Sequence, residues 1–454
     1  MNIKLIKKYN VPGPRYTSYP TVPYWDDKSI SYNSWIDSVK KAFNESNSNE
    51  GISIYIHLPF CENLCTFCGC HKRITKRHSL EMPYIETVLK EWQLYLDLFD
   101  KKPIIKELHL GGGTPTFFSA ENLKKLLIGI FDSSEILENS EFSFEGHPNN
   151  TTKQQLQMLY DLGFRRVSFG VQEYNLEVQK AINRIQPLEN VEKVTRWSRE
   201  IGYSSISHDL IFGLPKQSLA DVKRTINLTK ELEPDRIAFY SYAHVPWIKG
   251  LGQRGFDEND LPKDSEKREL YEEGKEMLNN YGYEEIGMDH FALKNDSLYK
   301  AVENKTIHRN FMGYSSQKTL LMIGLGMSSI SDSWYGFAQN NKSLEEYTNL
   351  VNSNNIPIFR GHLLNHEDLV LRKHILNIMC HFYTSWEDEN MQTPALFKGL
   401  ELMSELIKDE LVIIEKNSLK VSNKGKMFVR NICTCLDARM LRDKPKTKIF
   451  SQTI

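Results

Sequence analysis

Short β-rich runs separated by longer amphipathic stretches fill the chain from residue 51 to about 243. The runs are Ile52–Leu58, Glu107–Leu110, Glu141–Phe144, Arg166–Gly170, Ser205–Phe212 and Arg236–Tyr242. Between them lie amphipathic segments such as Pro83–Phe99 and Leu188–Ile201. Strand and helix in alternation predict a parallel α/β sheet. Six such units, each strand followed by a polar or glycine-rich tip, suit a partial TIM-like (β/α)6 barrel better than a doubly wound sheet. In barrels of that kind the chemistry sits at the C-terminal ends of the strands.

The tips are therefore where site residues are sought. The second run ends in Gly111-Gly112-Gly113-Thr114-Pro115-Thr116. Three consecutive glycines remove every Cβ, so the backbone can approach a ligand closely; a tight turn is the plainer alternative. The third tip presents Glu145, the fourth Gln172, the fifth Asp209 and the sixth Ala243 with His244, while Arg184 follows Gln172. Each alone could cap a turn. Their shared position at strand ends points to a site, because a carboxylate can hold ribose hydroxyls and an arginine can clamp a carboxylate through two hydrogen bonds.

Past the sixth run the pattern changes. Leu261–Asn280 is a charged helical stretch, followed by Tyr283–Phe291, His308–Tyr314 and the small-residue turn Ile323–Ile330. From roughly 360 onward helical segments lead to Leu411–Val421, which reads as a hairpin turning near Asn417-Ser418. The expected organisation is an N-terminal arm over 1–50, the barrel over 51–250, a barrel extension over 251–360 that reaches the site, and a small, mostly helical, winged-helix-like domain over 361–454. Lys and Arg do not dominate that last domain, so packing or a lid suits it better than DNA binding.

At 454 residues the chain is long enough for one large catalytic domain with additions. A formal net charge of -1 without dense basic runs argues against nucleic acid as a partner. No apolar run reaches the roughly 18 residues of a membrane span, and Met1–Lys8 lacks the apolar core of a signal peptide. These readings, with an odd number of cysteines, seven, point to a reducing cytoplasm in which thiols stay available for metal. Cys433 and Cys435 read as buried thiols of an apolar helix rather than a redox or metal pair.

The other chemistry lies just beyond the first strand. Four cysteines stand within ten residues, Cys61-Glu62-Asn63-Leu64-Cys65-Thr66-Phe67-Cys68-Gly69-Cys70. Cys61, Cys65 and Cys68 form C-x3-C-x2-C, so three thiolates can converge from one loop. Structural zinc takes four closed ligands, and common ferredoxin-type clusters take four cysteines. Three thiolates can instead leave one iron of a [4Fe–4S] cluster open to a small molecule. A zinc loop that recruits Cys70 is the alternative.

The spacing resembles the signature of the radical S-adenosylmethionine (SAM) enzymes, whose fold the barrel pattern matches. Along the chain the sequence resembles the oxygen-independent coproporphyrinogen III oxidases of anaerobic heme synthesis. The resemblance runs essentially end to end: Gly13–Pro20, Tyr55–Phe60 leading into the cysteine loop, Gly111–Thr116, Gly170–Gln172, Asp209–Pro215, Ile286–Phe291, His308–Tyr314 and Arg430–Cys433. It implies a radical SAM partial barrel with a [4Fe–4S] cluster on Cys61, Cys65 and Cys68, and a Cys70 that is essential to the chemistry without ligating the cluster. It places one SAM on the open iron, near Tyr55, Gly112, Glu145 and the backbone at Ile330. A second SAM would lie near Phe67, Gly113, Thr114, Gln172, Arg184, Asp209 and Ala243.

The implied reaction is reductive cleavage of SAM, removal of a β-hydrogen from a propionate of coproporphyrinogen III, and loss of carbon dioxide and an electron to leave a vinyl group. Two propionates are treated in turn, giving protoporphyrinogen IX. A small flavodoxin- or ferredoxin-like protein would deliver the electron to a monomeric enzyme. The arm over 1–50 would cover the substrate, and Arg15, His57, Arg184, His290 and Arg309 are candidate partners for its four carboxylates. The resemblance departs at Gly146-His147-Pro148, where the family usually has a hydrophobic residue and an acid.

Two other readings are weighed. A heme-binding trafficking protein of the same superfamily would lack the Arg15–Pro20 arm and the Cys70 position. A zinc-stabilised scaffold would be colourless where the cluster protein is brown.

Overall fold

A computed structural model describes residues 3–246, 252–253, 255–445, 447 and 449–453. The chain forms two compact units: Ser31–Tyr299 with Thr319–Gly361, and the segment up to Ile30 with Lys300–Lys318 and His362 onward.

In the larger unit every expected run is a strand: β1 Ile52–Leu58, β2 Ile104–Gly112, β3 Glu135–Gly146, β4 Phe164–Gln172, β5 Ser205–Phe212 and β6 Arg236–Ser241. Six more, β7 Glu284–Gly287, β8 His290–Ala292, β9 Met322–Leu325, β10 Ile330–Asp332, β11 Gly336–Asn340 and β12 Ile358–Leu363, complete a sheet of twelve. Its order is β12-β11-β10-β9-β1-β2-β3-β4-β5-β6-β8-β7. All neighbours from β9 through β1 to β6 are parallel. β10 pairs antiparallel with β9 on one side, and β8 with β6 on the other. The order does not close, so the α/β barrel is partial.

Helices make the crossovers: α1 Glu81–Leu96, α2 Ala120–Phe131, α3 Lys153–Asp161, α4 Leu176–Ala181 with α5 Leu188–Ile201, and α6 Leu219–Glu231. The α5 bounds are those of the amphipathic pattern; Gly202 stops the helix at φ 112°, a conformation that glycine enters without steric penalty. Thr152 and Ser218 accept hydrogen bonds at the starts of α3 and α6 from the backbone of Gln155 and Asp221.

Alternation along the strands separates core from interior. Ile52, Ile54, Ile56 and Leu58 of β1 have no exposed surface, and burial of each contributes about 1.5–3 kcal/mol. Ser53, Tyr55 and His57 occupy the opposite face. There they meet polar neighbours: Ser53 Oγ donates to Glu107 at 3.0 Å, and Tyr55 pairs in register with His109. Deeper pairs, Arg166 with Glu141 and Arg236 with Asp296, balance the buried charges of the barrel.

β9 departs from the sequence expectation, which took Ile323–Ile330 as a turn. Its four residues are buried and too few, with Gly324 among them, to show a strand period. Gly324 pairs with Tyr55, and a Cβ there would lie 2.5 Å from the carbonyl oxygen of Ile330. The chain then turns through Gly326–Ser329 into β10. One oxygen of Glu91, on α1, accepts from the Gly326 amide (2.7 Å) and the Tyr347 hydroxyl (2.6 Å), and the other from Asn340 Nδ2 (2.6 Å). Burial pushes the Glu91 carboxyl up to about 7.

The smaller unit is mostly helical, around His366–His381, whose Leu371, Ile375, Ile378 and Met379 are buried. Tyr383–Ser385, Ser418–Val421 and Val412–Ile414 form a three-stranded sheet, so a hairpin occupies the expected Leu411–Val421 run. Arg430 donates to the carbonyls of Gly13, Pro14 (2.8 Å) and Gln452 (2.9 Å), and Tyr16 to Asp437. The two chain ends are thereby held together. Cys433 is buried and Cys435 partly so, each thiol free. No described helix is long and apolar enough to cross a membrane.

Candidate active site

β1 delivers the chain to Pro59, and the cysteines follow at once. Phe60–Cys61 pairs with Arg73–Ile74, and amide bonds from Arg73 to the Pro59 carbonyl and from Thr75 to the Cys61 carbonyl, both 2.8 Å, close the loop. The segment after β4 braces it from the far side. Thr66 N–H donates to the Ile182 carbonyl (2.9 Å), and Asn183 Nδ2 to that of Leu64 (2.7 Å). Lys72 Nζ reaches the carbonyls of Cys68 (3.3 Å) and Cys70 (3.2 Å). The loop is thus held by its edges, with Cys61 Sγ 3.2 Å from Thr114 Oγ1.

Cys61, Cys65, Cys68 and Cys70 line a cavity of about 500 Å³, the size of a small-molecule site. Phe67, Gly112, Gly113, Thr114, Glu145, Gln172, Arg184 and Asp209 stand in the same wall. Strand tips from β2 to β5 and the cysteine loop therefore converge as the sequence led one to expect. Tyr55, Ala243 and Ile330 stand beside the wall. Tyr55 stacks on His109, 6.0 Å between ring centres. Gln253 Nε2 ties the carbonyl of Ala243 (3.0 Å) to that of Phe67 (3.1 Å). Ile330 sits against Gly324, the register partner of Tyr55.

Close backbone approach explains the glycines. A Cβ on Gly113 would fall 2.5 Å from the Pro59 oxygen and 3.0 Å from Cys61 Sγ. Gly112 has φ 121°, a region strained for other residues.

The polar wall is built across strands. His109 Nδ1 lies 2.7 Å from Ser143 Oγ and its Nε2 3.5 Å from Glu145. His57 Nε2 is 2.9 Å from the His71 carbonyl, an acceptor only, so that nitrogen carries the proton and Nδ1 accepts from Tyr55 Oη at 3.1 Å. Burial holds His57 neutral and keeps the Tyr55 phenol protonated. Ser168 donates to Asp209 at 2.9 Å, and burial raises that carboxyl to about 7. Cys61 is pushed up to about 11 by burial, whereas hydrogen bonding to Cys70 holds Cys68 below the ordinary thiol range.

His147, at the departure in the sequence, also lines the cavity. Its backbone N–H bonds Thr116 and its Nδ1 accepts from the Asn149 amide (3.2 Å), so the neutral ring carries its proton on Nε2.

Against known proteins, residues 55–229 match the model of the Radical SAM superfamily. Relatives named oxygen-independent coproporphyrinogen III oxidase match nearly end to end. That of Escherichia coli is 35% identical over 461 residues, covering 100% of this chain and 98% of its own. The Pseudomonas aeruginosa protein is 34% identical over 95% of each chain. The solved Escherichia coli coproporphyrinogen III oxidase, described as a radical SAM enzyme, superimposes with a TM-score of 0.88 at 33% identity, over 96% of this chain and 98% of that one.

The chain belongs to the oxygen-independent coproporphyrinogen III oxidases.

Membership in the radical SAM superfamily implies a [4Fe–4S] cluster and SAM, and this oxidase-family site fits both. Among the described residues no three His, Cys, Asp or Glu side chains gather around one point as a single metal ion requires, whereas a cluster offers each thiolate its own iron. Arg184 donates to the Gly170 carbonyl (2.6 Å) and lies 3.6 Å from Cys65 Sγ, while its buried Nε has no acceptor among the described residues. That is a donor suited to an anionic ligand in the cavity.

Ser168 and Tyr240 of the wall, and His109 behind it, were not singled out from sequence. The signal was present: Ser168, Gly170 and Gln172 alternate on β4, and Glu107, His109 and Gly111 on β2.

Proposed function

We propose that this protein converts two propionate side chains of coproporphyrinogen III to vinyl groups, giving protoporphyrinogen IX in anaerobic heme synthesis. The near full-length likeness to oxidases of that name carries the reading. Each conversion removes one hydrogen atom from the β-carbon, releases carbon dioxide and gives up one electron. When bound, the cluster and SAM supply a carbon radical able to take hydrogen from an unactivated C–H bond.

The chain's own residues hold and shelter those groups. Cys61, Cys65 and Cys68 ligate the cluster, and Cys70 serves the substrate chemistry. Tyr55, Gly112, Glu145 and the Ile330 backbone surround one SAM. Phe67, Gly113, Thr114, Gln172, Arg184, Asp209 and Ala243 surround a second. Common placement of most of these residues in one cavity wall supports the assignment. Neutral His57 and Tyr55 orient one another without placing charge beside the cluster. Cysteine-loop bonds to the segment after β4 hold the ligand loop in place.

A small flavodoxin- or ferredoxin-like protein would supply the electron that a bound cluster needs, to an enzyme working as a monomer in the cytoplasm. A trafficking role is not favoured, because the relatives matched over nearly the whole chain carry the oxidase name. Anaerobic turnover with SAM, a strong reductant and coproporphyrinogen III tests the proposal. Loss of two carbon dioxide units per porphyrin is expected, and SAM cleavage without decarboxylation would point to another substrate.

A further inference from the structure

Arg309 is the middle residue of His308–Asn310, a strand that folds back on Gly313–Ser315. Its register partner is Tyr314, and the guanidinium carbon lies 4.4 Å from the centre of that ring. The residue is only 6% exposed. Nη2 donates to the Arg15 carbonyl at 3.3 Å, whereas buried Nε and Nη1 have no acceptor among the described residues.

Among the described residues of the smaller unit no carboxylate pairs with this guanidinium. Cys380 and Cys433 interact electrostatically with Arg309, but burial pushes both thiols up, Cys380 to about 12, so both are neutral. Neighbouring His308 is also neutral, held at about 3 by burial and then by the cations Arg372 and Lys318. The buried carboxylates of the unit are engaged elsewhere: Asp437 with Tyr16 and Met440, Asp368 with Arg439. A buried guanidinium with unmade hydrogen bonds is costly unless an anion completes it.

We infer that Arg309 anchors one carboxylate of the porphyrinogen substrate. The inference rests on the substrate proposed above. Nη2 carries two N–H groups, one on each edge of the guanidinium plane. The Arg15 carbonyl occupies one of them, so one complete edge can make two parallel bonds to a carboxylate. The Tyr314 ring beneath fixes that plane, and the two-stranded pair fixes the ring.

The full-length, anaerobically reconstituted protein provides the test. Coproporphyrin III, the oxidised tetracarboxylate, is titrated by fluorescence into wild type, Arg309→Gln and Arg309→Lys. SAM affinity and the melting temperature are read on the same samples. Arg309→Gln should bind coproporphyrin about 30-fold more weakly or worse, the usual consequence of removing one partner of a buried charge pair. It should bind SAM as wild type does and melt no lower. Arg309→Lys should fall between the two, because a point charge cannot make both bonds. The tetramethyl ester of coproporphyrin should bind wild type and Arg309→Gln equally.

Unchanged coproporphyrin affinity in Arg309→Gln overturns the inference, as does a loss of SAM affinity, which would assign the anion to SAM. If Arg309→Gln does not fold, wild-type affinity in Arg309→Lys overturns it instead. Wild-type protein that binds no coproporphyrin at all would remove the substrate assignment along with the anchor.

Discussion

Gly113→Ala is the sharpest test of how the cysteine loop is seated. The new methyl would lie 2.5 Å from the Pro59 oxygen, 2.6 Å from the Pro59 carbonyl carbon and 3.0 Å from Cys61 Sγ, where ordinary contact begins near 3.4 Å. Two of these atoms are backbone, so no side-chain rotation relieves the overlap. The same Pro59 oxygen accepts the Arg73 amide at 2.8 Å, the bond that closes the cysteine loop. Overpacking of this kind costs about 1–3 kcal/mol, and losing that bond adds about 1 kcal/mol. A penalty of roughly 2–4 kcal/mol thus falls on the ligand loop. Gly69→Ala is the matched control in the same loop, since nothing lies within 4 Å of its added Cβ, and it should change stability by less than about 0.5 kcal/mol. Iron per chain and visible absorbance after anaerobic reconstitution, with the apo melting temperature, are the readouts. Gly113→Ala should lose most of its iron and Gly69→Ala none. Equal iron and turnover in the two variants would refute the reasoning.

Three further outcomes follow from buried groups and ligands. Glu91 binds more protons folded than unfolded between its ordinary 4.5 and about 7, so its contribution to stability falls as pH rises through that window, by about 3 kcal/mol in all. Glu91→Gln should flatten the decline between pH 5 and 8 in denaturant melts, and an unchanged slope would count against it. Asp209 is also raised to about 7; if it holds the ribose hydroxyls of the proposed second SAM, it would accept them best when ionised, so that binding should weaken several-fold from pH 8 to pH 6. Asp209→Asn should bind weakly with no such pH dependence, and parallel profiles for the two proteins would exclude the role. Cys65→Ala should yield colourless protein without SAM cleavage, whereas Cys70→Ala should stay brown and lose mainly decarboxylation. Colour loss in the latter would make Cys70 a ligand.

Much of the barrel was legible because its strands are apolar runs bounded by polar tips. β1 to β6 and α5 follow the pattern closely, and the cysteine spacing points directly at the loop that seats the thiols. β9 was not legible: four buried residues interrupted by Gly324 carry no period, and their strand character comes from pairing with β1 more than 260 residues earlier. His109 and Ser168 were missed for a related reason. Their roles depend on Ser143 and Asp209 across the sheet, and one strand does not announce its neighbour. The union of Gly13, Pro14 and Gln452 through Arg430 joins opposite chain ends, which composition and local pattern cannot reveal.

The central claim is tested most directly by anaerobic turnover of reconstituted protein with SAM, a strong reductant and coproporphyrinogen III, following porphyrins and 5'-deoxyadenosine by mass spectrometry. The account predicts loss of two carbon dioxide units per porphyrin, coupled to 5'-deoxyadenosine formation. Neither product, with tight heme binding in their place, would contradict it.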